Sequence, residues 1–124
     1  MGINGKGTAT SLRQAIKQFL MQDIDESGSR GRIVNIFSSA GITVTRNETA
    51  YIASKAAVSM LTKSLTLDHA KGLTNVNAVC PGVARTAMAS TNLRDLAIIN
   101  KLKKGTPWPW LGEPSDIAKV VAFL

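Results

Sequence analysis

The chain has 124 residues, 44% of them hydrophobic and 19% charged, with one cysteine and a net charge of +7. That suffices for one domain with a moderate core. No apolar run reaches the roughly 18 residues of a membrane span, and Met1-Gly2-Ile3-Asn4-Gly5-Lys6 is no export signal, so a cytoplasmic location is expected. The surplus Lys and Arg are scattered, with Lys101, Lys103 and Lys104 the tightest cluster and no nucleic-acid motif beside them, which reads as a solvated basic surface.

Leu12, Ile16, Phe19 and Leu20 follow the i, i+4, i+7, i+8 pattern of an amphipathic helix over 8–22. A flexible polar turn is expected from Asp23 to Arg32, separating it from Ile33-Val34-Asn35-Ile36-Phe37. This run is short, β-branched and almost wholly apolar, as suits a parallel strand covered on both faces. After a loop over 41–47, a long helix is expected from near Asn47 to about Lys71, with Gly72 as its stop. Its cap is either Thr45 with Glu48 or Asn47 alone. The stripe Ala53, Ala56, Ala57, Met60, Leu61 and Leu65 is small in front and large behind, which would let that helix lie close to a sheet or a sister helix. Asn75 to Cys80 reads as a second buried strand, closed by Pro81-Gly82. The lone Cys80 excludes an internal disulfide and reads as core filling. Residues 87–104 are expected to be helical. A loop with Pro107, Trp108, Pro109 and Trp110 follows, and Pro114 starts a last helix.

Strand, long helix and strand make a right-handed βαβ unit. In such sheets ligands sit beyond the carboxyl ends of the strands, where Ser38, Pro81 and Gly82 fall. Tyr51 and Lys55 are four residues apart, on one face of the long helix. An ammonium one turn from a phenol stabilises the phenolate, so the phenol can exchange a proton nearer neutral pH. A hydroxyl at the preceding strand end can hold the oxygen on which that proton acts. The pattern is proton-transfer chemistry on an alcohol or a carbonyl.

Four segments resemble the short-chain dehydrogenase/reductase family, in order and at compatible spacing. They are Gly31 to Gly41 with its serines, Tyr51-x-x-x-Lys55 with Ala56-Ala57-Val58, Asn75 to Gly82 with Thr86, and Leu111-Gly112-Glu113-Pro114. Ser38, thirteen residues before Tyr51, matches the family serine better than Ser39 does. Asn4-Gly5-Lys6-Gly7 is similar to the family's Asn-x-x-Gly segment, although Asn4 is equally readable as part of a plain chain end.

The resemblance implies an α/β fold, a portion of a doubly wound Rossmann-type three-layer α/β/α parallel sheet. It implies an NAD(P)-dependent oxidoreductase using NADP or NAD, with NADP ahead, on a small-molecule alcohol or carbonyl substrate. Tyr51 would be the general acid or base. Lys55 would support it and hold the cofactor ribose, Ser38 would bind the substrate oxygen, and Asn4 would support a proton relay. Pro81, Gly82, the backbone at Ala84 and Thr86 would line the nicotinamide end. The family's Thr-Gly-x-x-x-Gly-x-Gly segment has no counterpart, and the chain stops before the family's final strand. Residues 1–124 are therefore expected to be part of a longer domain, poorly stable alone and weak in binding dinucleotide. Self-association through helices 8–22 and 48–71 is expected. The alternative is a catalytically silent interaction subunit that keeps those helices.

Overall fold

Leu12 and Ile16, four residues apart, are the buried side chains of helix α1 (Thr8–Phe19). A computed structural model describes residues 1–90, 92–108 and 110–124; Thr91, Pro109 and the side chains of Asn92 and Lys101 lie outside the described residues. α1 follows a π-turn over Gly2–Gly7, in which the amides of Gly5 and Lys6 both donate to the Met1 carbonyl, at 2.9 and 3.2 Å. π-turns are rare, and many lie at functional sites. The helix ends three residues earlier than its periodicity suggests, because Met21 and Gln22 donate to the carbonyls of Gln18 and Phe19 in a tightened last turn.

The polar segment that follows is more ordered than its composition implies. The Asp25 carboxylate accepts hydrogen bonds from the backbone amides of Ser27 (2.9 Å) and Ser29 (3.0 Å), and Gly28 takes a φ of +79° to close the turn. The buried Ser29 hydroxyl lies between the carbonyls of Gly31 and Leu73, at 3.0 and 3.1 Å. It thereby fixes the start of strand β1 (Gly31–Ile36) beside the start of β2 (Thr74–Val79).

The two strands pair in parallel, from Gly31 opposite Thr74 to Ile36 opposite Val79. Both helices flank the same face. Asn35 Nδ2 donates to Thr62 Oγ1 of α2 (Thr49–His69) at 2.9 Å, while Asn35 and Ile33 share a hollow of about 500 Å³ with Leu12 and Ala15 of α1. On the opposite face Ile36 keeps 44% of its surface exposed. The expected cover on both faces is therefore incomplete at this strand.

Helix α2 turns a different set of residues to the sheet from its stripe of Ala53, Ala56, Ala57, Met60, Leu61 and Leu65. Ser54, Val58 and Thr62 are its buried residues, spaced by four, whereas Ala53 and Met60 are exposed. The face toward the sheet carries hydroxyls that bond within the helix and across to the strand. Thr62 Oγ1 donates to the Val58 carbonyl at 2.9 Å, and Thr66 Oγ1 lies 2.8 Å from both the Thr62 and Val76 carbonyls. Small polar side chains bring helix and sheet together where a large apolar stripe would hold them apart. The ends differ too. Glu48 is the N-cap residue without a side-chain cap bond, Thr45 Oγ1 instead donates to the Glu48 carboxylate at 2.8 Å, and Asn47 turns to a φ of +66°. After a 3₁₀ turn over Ala70–Gly72, Leu73 and not Gly72 adopts the left-handed conformation. Gly72 meets a different need, since a Cβ there would come within 2.9 Å of Leu20 Cδ2.

The chain divides into two compact units, Met1–Cys80 with Leu124 and Pro81–Phe123. The second holds a short turn over Asn92–Arg94, helix α3 (Leu96–Lys104), and helix α4 (Pro114–Phe123), which starts at Pro114 as expected. Within it Ala84 and Gly112 form a parallel bridge, and the Arg85 amide donates to the Gly112 carbonyl at 2.9 Å. No helix among the described residues is long and apolar enough to cross a membrane.

Candidate functional site

Strand β1 ends by pointing its chain at helix α2. Its ladder runs one bond further, from the Phe37 amide to the Val79 carbonyl (3.0 Å), and the backbone then turns at Ser38. Ser38 is extended, and its Oγ accepts from the Ala40 amide at 3.2 Å, capping a single 3₁₀ turn over Ser39–Gly41. Gly41 ends that turn directly against α2. A Cβ at this position would stand 3.0 Å from the Lys55 carbonyl carbon and 3.1 Å from the Ala56 nitrogen. The serine-bearing turn is thus seated on the helical turn that carries Lys55.

Lys55 answers from the helix side. Its Nζ donates to the Ile36 carbonyl at 3.1 Å and lies 5.8 Å from the centre of the Tyr51 ring. The last strand carbonyl thereby holds the ammonium beside the phenol, and Tyr51 remains 38% exposed, open to a small molecule. Asn4 reaches the same helix from the π-turn. Its Nδ2 donates to Ser54 Oγ at 3.1 Å, and Ser54 Oγ donates to the Tyr51 carbonyl at 2.7 Å. Asn4 is therefore bonded to the helix rather than frayed. Ser38, Tyr51, Lys55 and Asn4 all belong to the first unit; Tyr51 and Lys55 stand on the first two turns of α2, Asn4 bonds Ser54 there, and Ser38 caps the turn whose Gly41 abuts it.

The remaining predicted residues belong to the second unit. Pro81 is half-buried and Gly82 exposed. The Ala84 backbone is engaged in its bridge to Gly112, and Thr86 Oγ1 accepts from the Ala89 amide at 3.3 Å. Gly82, Ala84, Thr106 and Ile117 line a hollow of about 380 Å³ together with Trp108 and Trp110. The two indoles meet edge to face with centroids 5.2 Å apart. At the end of β2, burial pushes the Cys80 thiol above its ordinary range, which keeps it protonated and poorly nucleophilic. Among the described residues no three His, Cys, Asp or Glu side chains gather as a metal site would require.

Ser54 is the residue that sequence reasoning overlooked. The available signal was its spacing, because Ser54, Val58 and Thr62 recur every four residues and mark the face turned to the interior.

A family profile described as "Enoyl-(Acyl carrier protein) reductase" matches residues 1–124. The 7alpha-hydroxysteroid dehydrogenase of Bacteroides fragilis is 43% identical over 95 residues, covering 76% of this chain and 36% of that protein. A solved structure described as "4-hydroxyisoleucine dehydrogenase complexed with NADH" superimposes with a TM-score of 0.89 at 30% identity, covering 98% of this chain and 48% of the other. A gluconate 5-dehydrogenase from Burkholderia cenocepacia, in complex with NADP and tartrate, superimposes at 0.88 with 26% identity, over 98% of this chain and 46% of that one. The chain spans less than half the length of each of these three proteins. The βα arrangement is accordingly a portion of a Rossmann-type α/β/α fold.

Proposed function

Because the chain belongs to the short-chain dehydrogenase/reductase family, we propose that it forms part of an NAD(P)-dependent oxidoreductase interconverting an alcohol with a ketone or aldehyde. The observation that carries this reading is the latch between Lys55 Nζ and the Ile36 carbonyl, which holds an ammonium beside the exposed Tyr51 ring. An ammonium, a phenol and a serine hydroxyl at one strand end are the donor set that a ribose and a substrate oxygen require, so the residues fit the cofactor. When bound, the dinucleotide supplies or accepts the hydride.

The chain's own groups handle the proton. In reduction the Tyr51 hydroxyl gives its proton to the oxygen of the carbonyl; in oxidation Tyr51 takes the proton from the alcohol. The Lys55 ammonium stabilises the phenolate left behind and hydrogen-bonds ribose hydroxyls. Ser38 Oγ donates to the substrate oxygen and fixes it in line with Tyr51. Asn4 supports the route by which the proton is replaced from solvent. Pro81, Gly82, the Ala84 backbone and Thr86 bear on the nicotinamide end. NADP and NAD both remain within this reading, as does a cytoplasmic location.

The groove between α1 and α2 supports self-association. It measures about 260 Å³, with Ile16, Leu20, Leu61 and Leu65 on its walls and Arg13 and Lys17 on its rim. We assign it to pairing with a second copy through the helices expected for that role.

The test uses the full-length protein containing this chain. Tyr51→Phe should lower turnover by about 10²–10⁴-fold while circular dichroism stays unchanged. Near-normal turnover in that variant would remove Tyr51 as the proton donor. A wild-type protein that self-associates yet neither binds NADPH or NADH nor turns over would support the silent interaction subunit instead.

A further inference from the structure

We propose that Ser54 is a positioning residue, coupling the Asn4 π-turn to the helical turn that carries Tyr51 and Lys55. This rests on the reading of Tyr51 as the proton donor and adds a residue that reading does not use. Ser54 retains 2% of its surface, so its hydroxyl is satisfied by protein groups alone. Its single proton goes to the Tyr51 carbonyl at 2.7 Å, and its oxygen accepts from Asn4 Nδ2 at 3.1 Å. A hydroxyl has one donor. With that donor committed to Tyr51, the oxygen can only accept from Asn4, and the orientation of the Asn4 amide follows.

The partners lie 50 residues apart in the chain. One sits in a π-turn and the other on the first turns of a long helix. A serine that bonds back to a carbonyl three residues earlier also biases the local bend of its helix. The turn bearing Tyr51 therefore inherits its placement from Asn4 by way of one buried hydroxyl. Alanine at 54 would leave the part-buried Asn4 amide without this acceptor and release the two segments from each other.

The experiment compares Ser54→Ala, Ser54→Thr, Asn4→Ala and the Ser54→Ala/Asn4→Ala pair in the full-length protein, with Tyr51→Phe as reference. Ser54→Ala should lower kcat about tenfold with KM within twofold of wild type, and Ser54→Thr should recover most of it by keeping the hydroxyl. The double variant should be no slower than Asn4→Ala, because both changes break one connection. Unchanged kcat in Ser54→Ala, or losses that multiply in the double variant, would overturn the proposal. The double-variant comparison decides the matter even where the additional methyl of threonine is not accommodated. Turnover in Tyr51→Phe equal to wild type would instead defeat the proton-donor reading, so the two failures are distinguishable.

Discussion

The two units of the chain are held together in different ways. Met1–Cys80 buries Leu12, Ile16, Phe37, Val58, Val76 and Val79, and threads hydrogen bonds between distant segments through Ser29, Asn35, Ser54 and Thr62. In Pro81–Phe123, Leu111 is the buried hydrophobic side chain among the described residues, while Leu96, Trp108, Trp110, Val120 and Phe123 are exposed. Groups that move a proton must be placed to within a fraction of an ångström, and the candidate proton-transfer residues all lie in the unit whose polar interior is most heavily bonded. Loop-rich, weakly buried segments vary easily, which suits surfaces that adapt to different small molecules.

The largest expected effect that would break this comparison is on stability. Val58→Ala should cost about 2 kcal/mol, whereas Phe123→Ala should stay within about 0.5 kcal/mol, both read by chemical denaturation of the full-length protein. Equal losses would show that the two units are equally dependent on buried apolar contacts. Gly41→Ala comes next. Backbone atoms of Lys55 and Ala56 stand in the way of its methyl, so the serine-bearing turn must shift, at about 1–2 kcal/mol and with a lower kcat. A variant with normal stability and turnover would mean that the close approach of turn and helix has no consequence.

Leu73→Gly sharpens the picture in the opposite direction. Leu73 holds a φ of +56°, a conformation that costs a residue with a Cβ about 1 kcal/mol. Glycine removes that strain but raises the entropy of the unfolded chain, leaving a net gain of about 0.5 kcal/mol in the denaturation midpoint. A loss would show that the Leu73 side chain contributes more packing than its exposure suggests.

The smallest effect is confined to the Asp25 turn. A hydrogen bond from the Ser27 hydroxyl, followed by one from the Ser29 amide, favours the ionised carboxylate and lowers its pKa below the ordinary 3.8. With the folded value depressed, the contribution of this turn is complete above 3.8 and declines as the pH falls through the folded value. The amide resonances of Ser27 and Ser29, followed by NMR on acidification, should report a midpoint below 3.8. A midpoint at or above it would mean that these bonds do not favour the charged form.

Much of the architecture was legible in the residues. Both strands, the long helix, the first helix and the Pro114 start lie within a few residues of expectation, since each is written locally, as an apolar run, a helical spacing, or a cap, stop or proline start signal. Exceptions occurred where a side chain took over from the backbone pattern. Asp25 organised a segment that composition marks only as polar. Asn47 spent its turn propensity on a positive φ instead of a cap. Leu73 and not Gly72 took the left-handed position, while Gly72 makes room for Leu20. The face of α2 turned to the sheet is hard to read because Ser54 and Thr62 look polar in isolation, although each finds a partner inside.

What the sequence alone determined is the one-turn spacing of Tyr51 and Lys55 and their position after an apolar strand, because helical and strand periods are short-range properties of consecutive residues. Only the tertiary structure decided that Lys55 binds the carbonyl of Ile36, 19 residues earlier, and that Asn4 meets Ser54, 50 residues later. No period encodes such meetings. They arise because packing brings distant segments together, and where burial takes water from a group, as at the Ser54 hydroxyl, that group must bond to another part of the chain.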